Sequence, residues 1–420
     1  MIFRSTRHQA PPVSAEKAIL TGLAPDGGLY VPSGFPSLSP FPSGMQYPEL
    51  ATLAIQPFFN ESSEKIDIGP IIRDALNFEV PLNFFGKETA VLELFHGPTA
   101  AFKDVGARFL AGVMAALKKP GDPVTTIVVA TSGDTGGAVA SAFFRKPGFE
   151  VIILFPEGKV SPRQQQQLTC WGENISSYAV KGTFDDCQRL AKEAFATPSV
   201  AGNRQLSSAN SINLGRLLPQ MTYYIHASIG FRARTGQSPV IIIPSGNVGN
   251  AVGAVWAREM GAPIRKIVLA ANANRTIPDF FDTGKWSPRP SVETLANAMD
   301  VGNPSNMERL RDLYPDLSHL KSFIETASVT DEEIRETIIS HFHKTGMVIC
   351  PHTAVAEKVR RTRFDGEPAM IVATAHPAKF ETIVEPLIGQ PVEIPPALAG
   401  LLHRPVSVRQ IEPDLHQLFT

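Results

Sequence analysis

One pattern constrains this chain more than any other: short runs of β-branched and aliphatic residues recur, followed by loops of Gly, Ser, Asn or Thr and then by helix-forming stretches. The runs are VTTIVVA (124–130) before TSGDTGGAVASAFF, VIILF (151–155) before SPRQQQQLTC, VIIIP (240–244) before SGNVGNAVGAVWA, IVLAA (267–271), and MIVAT (370–374) before AHPAKFETIVEPLI. Because none alternates apolar with polar residues, these strands must be buried on both faces, the condition of parallel strands covered by helices. The predicted class is α/β. Such sheets bind ligands beyond the carboxyl ends of their strands, and the polar Gly-rich loops here fall at those ends.

A second stretch points to chemistry. In LFHGPTAAFKDVGARFL (94–110), Gly97 and Pro98 break regular structure and Thr99 is placed to cap the next helix. Val105, Phe109 and Val113 then recur four apart beside Leu110, Met114 and Leu117, so a buried helix is predicted to begin close to Asp104. Lys103 sits at that junction, flanked by Ala101, Phe102 and Val105. Desolvation there lowers an amine's pKa and raises its nucleophilic fraction, as an imine-forming lysine requires. Taken alone, the stretch fits a solvated lysine at a helix start better, as most lysines in such positions are.

Composition narrows the possible ligands. With 420 residues the chain can hold more than one domain, and its formal net charge of -1 provides no global field for nucleic acid or an anionic membrane. Any anion must be held locally. Cys170, Cys187 and Cys350 lack CxxC spacing and are odd in number, which argues against a disulfide framework or a metal site and fits a reducing compartment. MIFRSTRHQAPPVSAEKAIL carries charges and prolines where a signal peptide needs an apolar core, and no apolar run is long enough to span a bilayer. The expected setting is cytoplasmic.

Residues 1–50, rich in Pro, Gly and Ser, are expected to wrap the body as a cap, with two or three helices from Tyr47 to about Phe78. Residues 273–330 interrupt the strand–helix rhythm and are expected to be a turn-rich insertion. TDEEIRETIISHFHKTG (330–346) is a helix with a Thr330–Glu333 capping box and a stop at Gly346.

Three loops could hold anions. PSGNVGNAVGA (244–254) leaves a strand and enters a helix; Gly246 and Gly249 let successive amides turn inward, and Asn247 and Asn250 add donors. It matches neither GxGxxG nor GxxxxGK[ST], which favours a single phosphate over a dinucleotide or triphosphate, with a merely tight turn as the alternative. ATSGDTGGAVAS (130–141) offers Ser132, Thr135 and backbone amides, with Asp134 either near a ligand or simply capping the helix. SSANSINLGRLLPQ (207–220) crowds Ser208, Asn210, Ser211 and Asn213 around Arg216, whose planar fork suits phosphate unless it lies on a solvated face.

Thr374 ends a strand, where a hydroxyl can meet a ligand ring nitrogen without ionising it. His341 and His343 lie two apart on a helix and do not share a face. Of His96, His352 and His376, each beside a Gly or Pro near the ligand edge, one could touch substrate.

Together FHGPTAAFKD, ATSGDTGG, SSANSINLGR, SGNVGN, GNPSNMER, ICPHTAV and ATAHPAKF, with STR and LAPDGGLYVP near the N-terminus, resemble threonine synthases, pyridoxal-phosphate enzymes of fold type II. The SGDTG and TAHPAKF wording is similar to the longer bacterial and fungal branch. The resemblance implies the fold of the tryptophan synthase β chain, and conversion of O-phospho-L-homoserine and water to L-threonine and phosphate by γ-elimination and β-addition. On it, Lys103 would carry pyridoxal 5'-phosphate, Gly246, Asn247, Val248, Gly249 and Asn250 would hold the cofactor phosphate, and Thr374 would face the pyridine nitrogen. Asn210, Ser211 and Arg216 would bind the substrate phosphate, with Ser132, Asp134 and Thr135 beside the substrate. Related members often carry Asn in place of Asp134, and an Asp can donate only if protonated.

The chain is then expected to divide into an N-terminal cap (1–80), a large cofactor domain (81–100 and 206–400), a smaller mobile domain (101–205) and a tail (401–420), as a monomer or homodimer. Two rival readings remain at this point. One is a phospholyase releasing 2-oxobutyrate from the same substrate, the other a non-catalytic cofactor or phosphate binder on the same fold.

Overall fold

The computed structural model describes all residues except 42–43, 61–65, 198–203 and 419–420. Readings that touch those positions, in the cap, the end of the expected small domain and the tail, lie outside the described residues.

The N-terminal region holds β1 (Ile2–Ser5), β2 (Val13–Ser14) and β3 (Tyr30–Pro32). They pair antiparallel in the order β2-β1-β3, followed by helices Tyr47–Phe59 and Ile68–Ala75. The cap therefore contains a small sheet, and two helices follow it within the stretch Tyr47 to Phe78 where helices are expected. The chain then lays down β4 (Leu82–Phe84), β5 (Thr89–Glu93), β6 (Thr125–Ala130), β7 (Phe149–Pro156), β8 (Ile175–Val180), β9 (Gln205–Ser208), β10 (Val240–Pro244), β11 (Lys266–Ala271), β12 (Ile324–Ser328), β13 (Ala369–Ala373) and β14 (Arg409–Ile411). One sheet runs β12-β11-β10-β13-β5-β4, parallel except for β4 at its edge. The other, β14-β8-β7-β6-β9, is parallel throughout.

The apolar runs seen in the sequence become β6, β7, β10, β11 and β13, and their lack of alternation has the anticipated cause. Along β10, Ile241 and Ile243 enter one core cluster while Val240 and Ile242 enter another. Successive side chains point to opposite faces, so helices cover both. Ile127 and Val129 of β6 likewise belong to a different core from Val128 and Ala130.

Several boundaries differ from the expected ones. Residues 273–330 are not wholly an insertion, because they end in β12, which pairs in parallel with β11. The IETAS sequence of β12 is too short and too polar on one side to stand out as a strand. The division expected at 205/206 runs through β9, which pairs with β6, and the tail supplies β14 beside β8. The helix Asp331–Thr345 has the Thr330–Glu333 capping box, and Gly346 closes it with φ of 72°. His341 is buried against Glu357 at 3.3 Å, a contact between helices. Among the described residues no helix is long and apolar enough to cross a membrane.

Candidate active site

Lys103 is the first residue of the helix Lys103–Leu117. The approach to it is fixed by backbone pairing with the chain that leaves β13. The Phe102 N–H donates to the Thr374 carbonyl at 2.8 Å, the His376 N–H donates to the Ala100 carbonyl at 3.0 Å, and Ala101 bridges Ala375. Thr99 does not cap this helix. Instead the buried Asp104 carboxylate turns back to accept from the Thr99 N–H at 2.9 Å and its hydroxyl at 2.7 Å. Gly97 makes that possible, since a Cβ there would lie 2.6 Å from Asp104 Oδ2.

The Lys103 side chain is only part-covered, as an amine that must meet a ligand has to be. Burial lowers its pKa to about 8; Asp134 opposes the shift, while Lys379 and Arg216 add to it. A useful fraction is therefore free amine near neutrality.

The turn after β10 forms the second half of the site. Val248 adopts φ of 65° immediately before the helix Gly249–Glu259, and a Cβ on Gly246 would lie 2.7 Å from Met299 Cα. Among the described residues, the amides of 246–249 find no acceptor within the protein. Asn250 accepts from the Tyr223 hydroxyl and from the Tyr224 hydroxyl at 2.9 Å, which aims its buried Nδ2 elsewhere, without a partner. The Asn247 side chain is held within the protein: its Nδ2 donates to Ser211 Oγ at 2.7 Å and its Oδ1 accepts from the Ser305 N–H at 2.6 Å.

Residues 208–220 join the two halves. Ser211 Oγ meets Asn247 and also accepts from Asn306 Nδ2 at 3.1 Å, while Arg216 Nη2 donates to the Lys103 carbonyl at 3.5 Å. Arg216 is buried rather than solvated, donates through Nη1 to the Ala209 carbonyl, and keeps an unpartnered Nε. Burial lowers its pKa to about 10, with Asp104 opposing, so it remains a cation. Asn210 Oδ1 is also buried without a partner. Because β10 and β13 pair in parallel, with Ile242 opposite Ile371, Ser245 and Thr374 leave the sheet at the same end.

Close packing fixes the bridge against the lysine helix. A Cβ on Gly106 would fall 2.6 Å from the Arg216 carbonyl oxygen and 2.9 Å from its Nε. Gly106→Ala is therefore expected to cost about 1–3 kcal/mol by overpacking, and, if Arg216 holds a ligand, to raise KM as its guanidinium is displaced. Unfolding midpoints and KM measured on the same preparation check this.

On the facing sheet, Ser132 and Thr135 are part-exposed, and among the described residues neither hydroxyl makes a hydrogen bond. Thr131, which no sequence signal singles out, holds this turn: its hydroxyl accepts from the Gly133 and Gly136 amides, each at 3.0 Å. Asp134 does not cap its helix. Its Oδ1 pairs with Lys379 Nζ at 2.8 Å and accepts from Gln164 Nε2 at 3.1 Å. Burial alone would raise its pKa, but the charges of Lys379 and Lys103 hold it far below the usual carboxylate range. It is thus an ionised acceptor that cannot donate to an anion.

Of the three histidines, His352 lies where Lys103, Asp134 and Lys379 all act on it. Burial drives its pKa down to about 4, with Asp134 opposing, and Nε2 accepts from the Ala298 N–H at 3.2 Å, so the ring is neutral. His96 pairs with Glu93, and His376 Nδ1 caps the turn Pro377–Phe380. Lys379, Asn306 and Arg309 belong to the site as well, although sequence reasoning does not reach them. The motifs TAHPAKF and GNPSNMER contain all three, but only the fold shows what they touch.

Comparison with known proteins agrees with this geometry. The family described as pyridoxal-phosphate dependent enzyme matches residues 80–374, threonine synthase N terminus matches 2–76, and threonine synthase, C-terminal matches 353–419. Threonine synthase of Escherichia coli K12 is 36% identical over 411 residues, covering 97% of this chain and 95% of that one. The Haemophilus influenzae threonine synthase is also 36% identical, over 425 residues, covering 100% and 98%. The crystal structure of threonine synthase from E. coli superposes with a TM-score of 0.89 at 35% identity, covering 99% of this chain and 97% of that one. The pyridoxal-phosphate-bound threonine synthase of Brucella melitensis gives 0.90 at 34%, covering 100% and 98%.

Pyridoxal phosphate fits the residues present: a desolvated amine on a part-exposed Lys103, unpaired amides at a helix start, and an unmet Asn250 Nδ2 beside them. Belonging to a known family thus accounts for an arrangement already visible in the side chains, and the chain is a member of the threonine synthase family of pyridoxal-phosphate enzymes.

Proposed function

We propose that this chain converts O-phospho-L-homoserine and water to L-threonine and phosphate, with Lys103 as the covalent anchor of the cofactor and the mobile base. The observation that carries the reading is the pairing of a desolvated amine at Lys103 with a charge-free amide cradle at 246–250, joined through Ser211 and Arg216. When bound, pyridoxal phosphate supplies the electron sink that makes the substrate's carbon acids labile. Everything else is done by the protein.

The amides of Gly246, Asn247, Val248 and Gly249 and the Asn250 Nδ2 would hold the cofactor phosphate at the positive end of the helix Gly249–Glu259. The Asn247 side chain works indirectly, pinning the turn to Ser211 and Ser305. The Thr374 hydroxyl would meet the ring nitrogen and could share a hydrogen bond without forcing it to ionise. With its amine free, Lys103 would remove the substrate's Cα proton and return protons to the substrate carbons, work for which a pKa close to the operating pH is best suited. Arg216 Nε, with Asn210 and Ser211, takes the substrate phosphate. Ser132 and Thr135 take the carboxylate from the facing sheet, and Asp134 stands behind them, balancing charge rather than touching an anion. The smaller sheet covers the reacting atoms, so water enters only after phosphate has left. Supported by a near-neutral charge balance, the protein works in the cytoplasm as a monomer or homodimer, without nucleic acid or membrane.

Incubating the cofactor-loaded protein with O-phosphohomoserine tests this. Equal amounts of threonine and phosphate are expected. Phosphate accompanied by 2-oxobutyrate would instead make it a phospholyase, and no turnover would make it a silent binder.

A further inference from the structure

Lys379 is fully buried on the turn that comes after β13, and its Nζ donates to Asp134 Oδ1 at 2.8 Å and to the Thr99 carbonyl at 2.8 Å. Asp134 begins the helix after β6, so one contact ties the larger sheet to the smaller, and the other ties both to the loop that delivers Lys103. Neutral donors already brace the same junction. Gln167 Nε2 reaches the Thr99 carbonyl at 3.0 Å, Gln164 reaches Asp134, and Ser161 Oγ reaches the Lys379 carbonyl at 2.6 Å. Taking an ammonium and a carboxylate out of water is costly even when they meet. Amides could hold these elements together, so the charges point to a task that only charge performs.

We propose that the Asp134–Lys379 pair is a positioning unit for Lys103: anchored to the Thr99 carbonyl on the loop that delivers the lysine, it sets the balance of charge that the Lys103 amine meets. This rests on the reading of Lys103 as the covalent lysine. The charged groups whose fields reach the Lys103 amine are Asp134, Lys379 and Arg216, with His352 neutral and Asp104 turned back on Thr99. With Asp134 neutralised, two cations would confront the amine and favour its free form. With Lys379 neutralised, Asp134 would be opposed by Arg216 alone, and the balance would shift towards the ammonium. The two single variants must therefore move Lys103 in opposite directions, whereas two losses of a merely structural tie would act alike.

The test uses the full-length, cofactor-free protein, labelled with trace acetic anhydride across a pH series, with the Lys103 peptide followed by mass spectrometry. At pH 7, Asp134→Asn is expected to label Lys103 roughly tenfold faster than wild type and Lys379→Met roughly tenfold slower. The double variant should fall between them. Unchanged labelling, or a change of the same sign in both single variants, overturns the proposal. If Lys379→Met does not fold, Asp134→Asn against the double variant carries the same test, because restoring Lys379 to the double variant must then speed labelling. Borohydride reduction of the loaded wild type reports the underlying reading separately: cofactor fixed at a different lysine defeats that reading, whatever the labelling shows.

Discussion

Lys103→Ala abolishes threonine formation, with turnover reduced by about 10³-fold or more, and leaves the cofactor held only by non-covalent contacts. Two roles vanish together. The amine that anchors the cofactor is gone, and so is the base that moves protons between substrate carbons. The loss should be chemical, not structural. Lys103 sits at the first position of its helix with a part-exposed side chain, and among the described residues its amine makes no hydrogen bond. Alanine is a good helix former and strands no buried partner, so the unfolding free energy should remain within about 0.5 kcal/mol of wild type. Visible absorbance, threonine assay and urea unfolding on one preparation separate the two kinds of effect. A variant that keeps a tenth of wild-type turnover contradicts the assignment.

Arg309→Met is expected to have the largest effect on stability of any single change near the cradle. Its guanidinium is fully buried and donates to the Tyr30 carbonyl at 3.0 Å, the Ser211 carbonyl at 3.2 Å, the Ile212 carbonyl at 2.7 Å and Asn306 Oδ1. Burial depresses its pKa to about 9, with Glu308 opposing, yet it stays charged at neutrality. Methionine fills much of the space but leaves several acceptors without donors, at about 1–3 kcal/mol for each that water cannot reach. Ser211 and Asn306 meet at the Ser211 hydroxyl, which also holds Asn247 of the cradle. The variant should therefore lose more than about 3 kcal/mol of stability and bind pyridoxal phosphate at least roughly tenfold more weakly. Ser211→Ala, which removes only the hydroxyl, should weaken binding while costing less stability. Unchanged cofactor affinity in a destabilised Arg309→Met would show that the hub supports the fold but not the cradle.

The sequence made the larger part of the sheet architecture legible because β10, β11 and β13 are buried on both faces, and that burial writes an unbroken apolar run. Several of the strands it hid are polar or exposed in part. Ile175–Val180 mixes serines with apolar residues, Gln205–Ser208 is short and polar, and Arg409–Ile411 lies mostly exposed at an edge. Lys103 was legible because a helix start, a Gly-Pro break and an apolar flank are all local. Lys379 was not, since its meaning depends on Asp134 and Thr99, hundreds of residues away in sequence. The same limit applies to Thr99 and Asp134, whose positions both suggest a helix cap. Long-range partners decide otherwise for Asp134, which Lys379 claims, and a carboxylate turned back from the helix itself claims Thr99. Local grammar finds sites built on one loop, whereas charge balance across two sheets is written only in the fold.

The central claim is that the ε-amine of Lys103 holds the cofactor whose phosphate rests in the 246–250 turn. Reducing the loaded protein with sodium borohydride, digesting it and mapping the modified peptide by mass spectrometry tests it directly. The label is expected on Lys103 and nowhere else. A label on Lys379 or any other lysine, with Lys103 recovered unmodified, would contradict it.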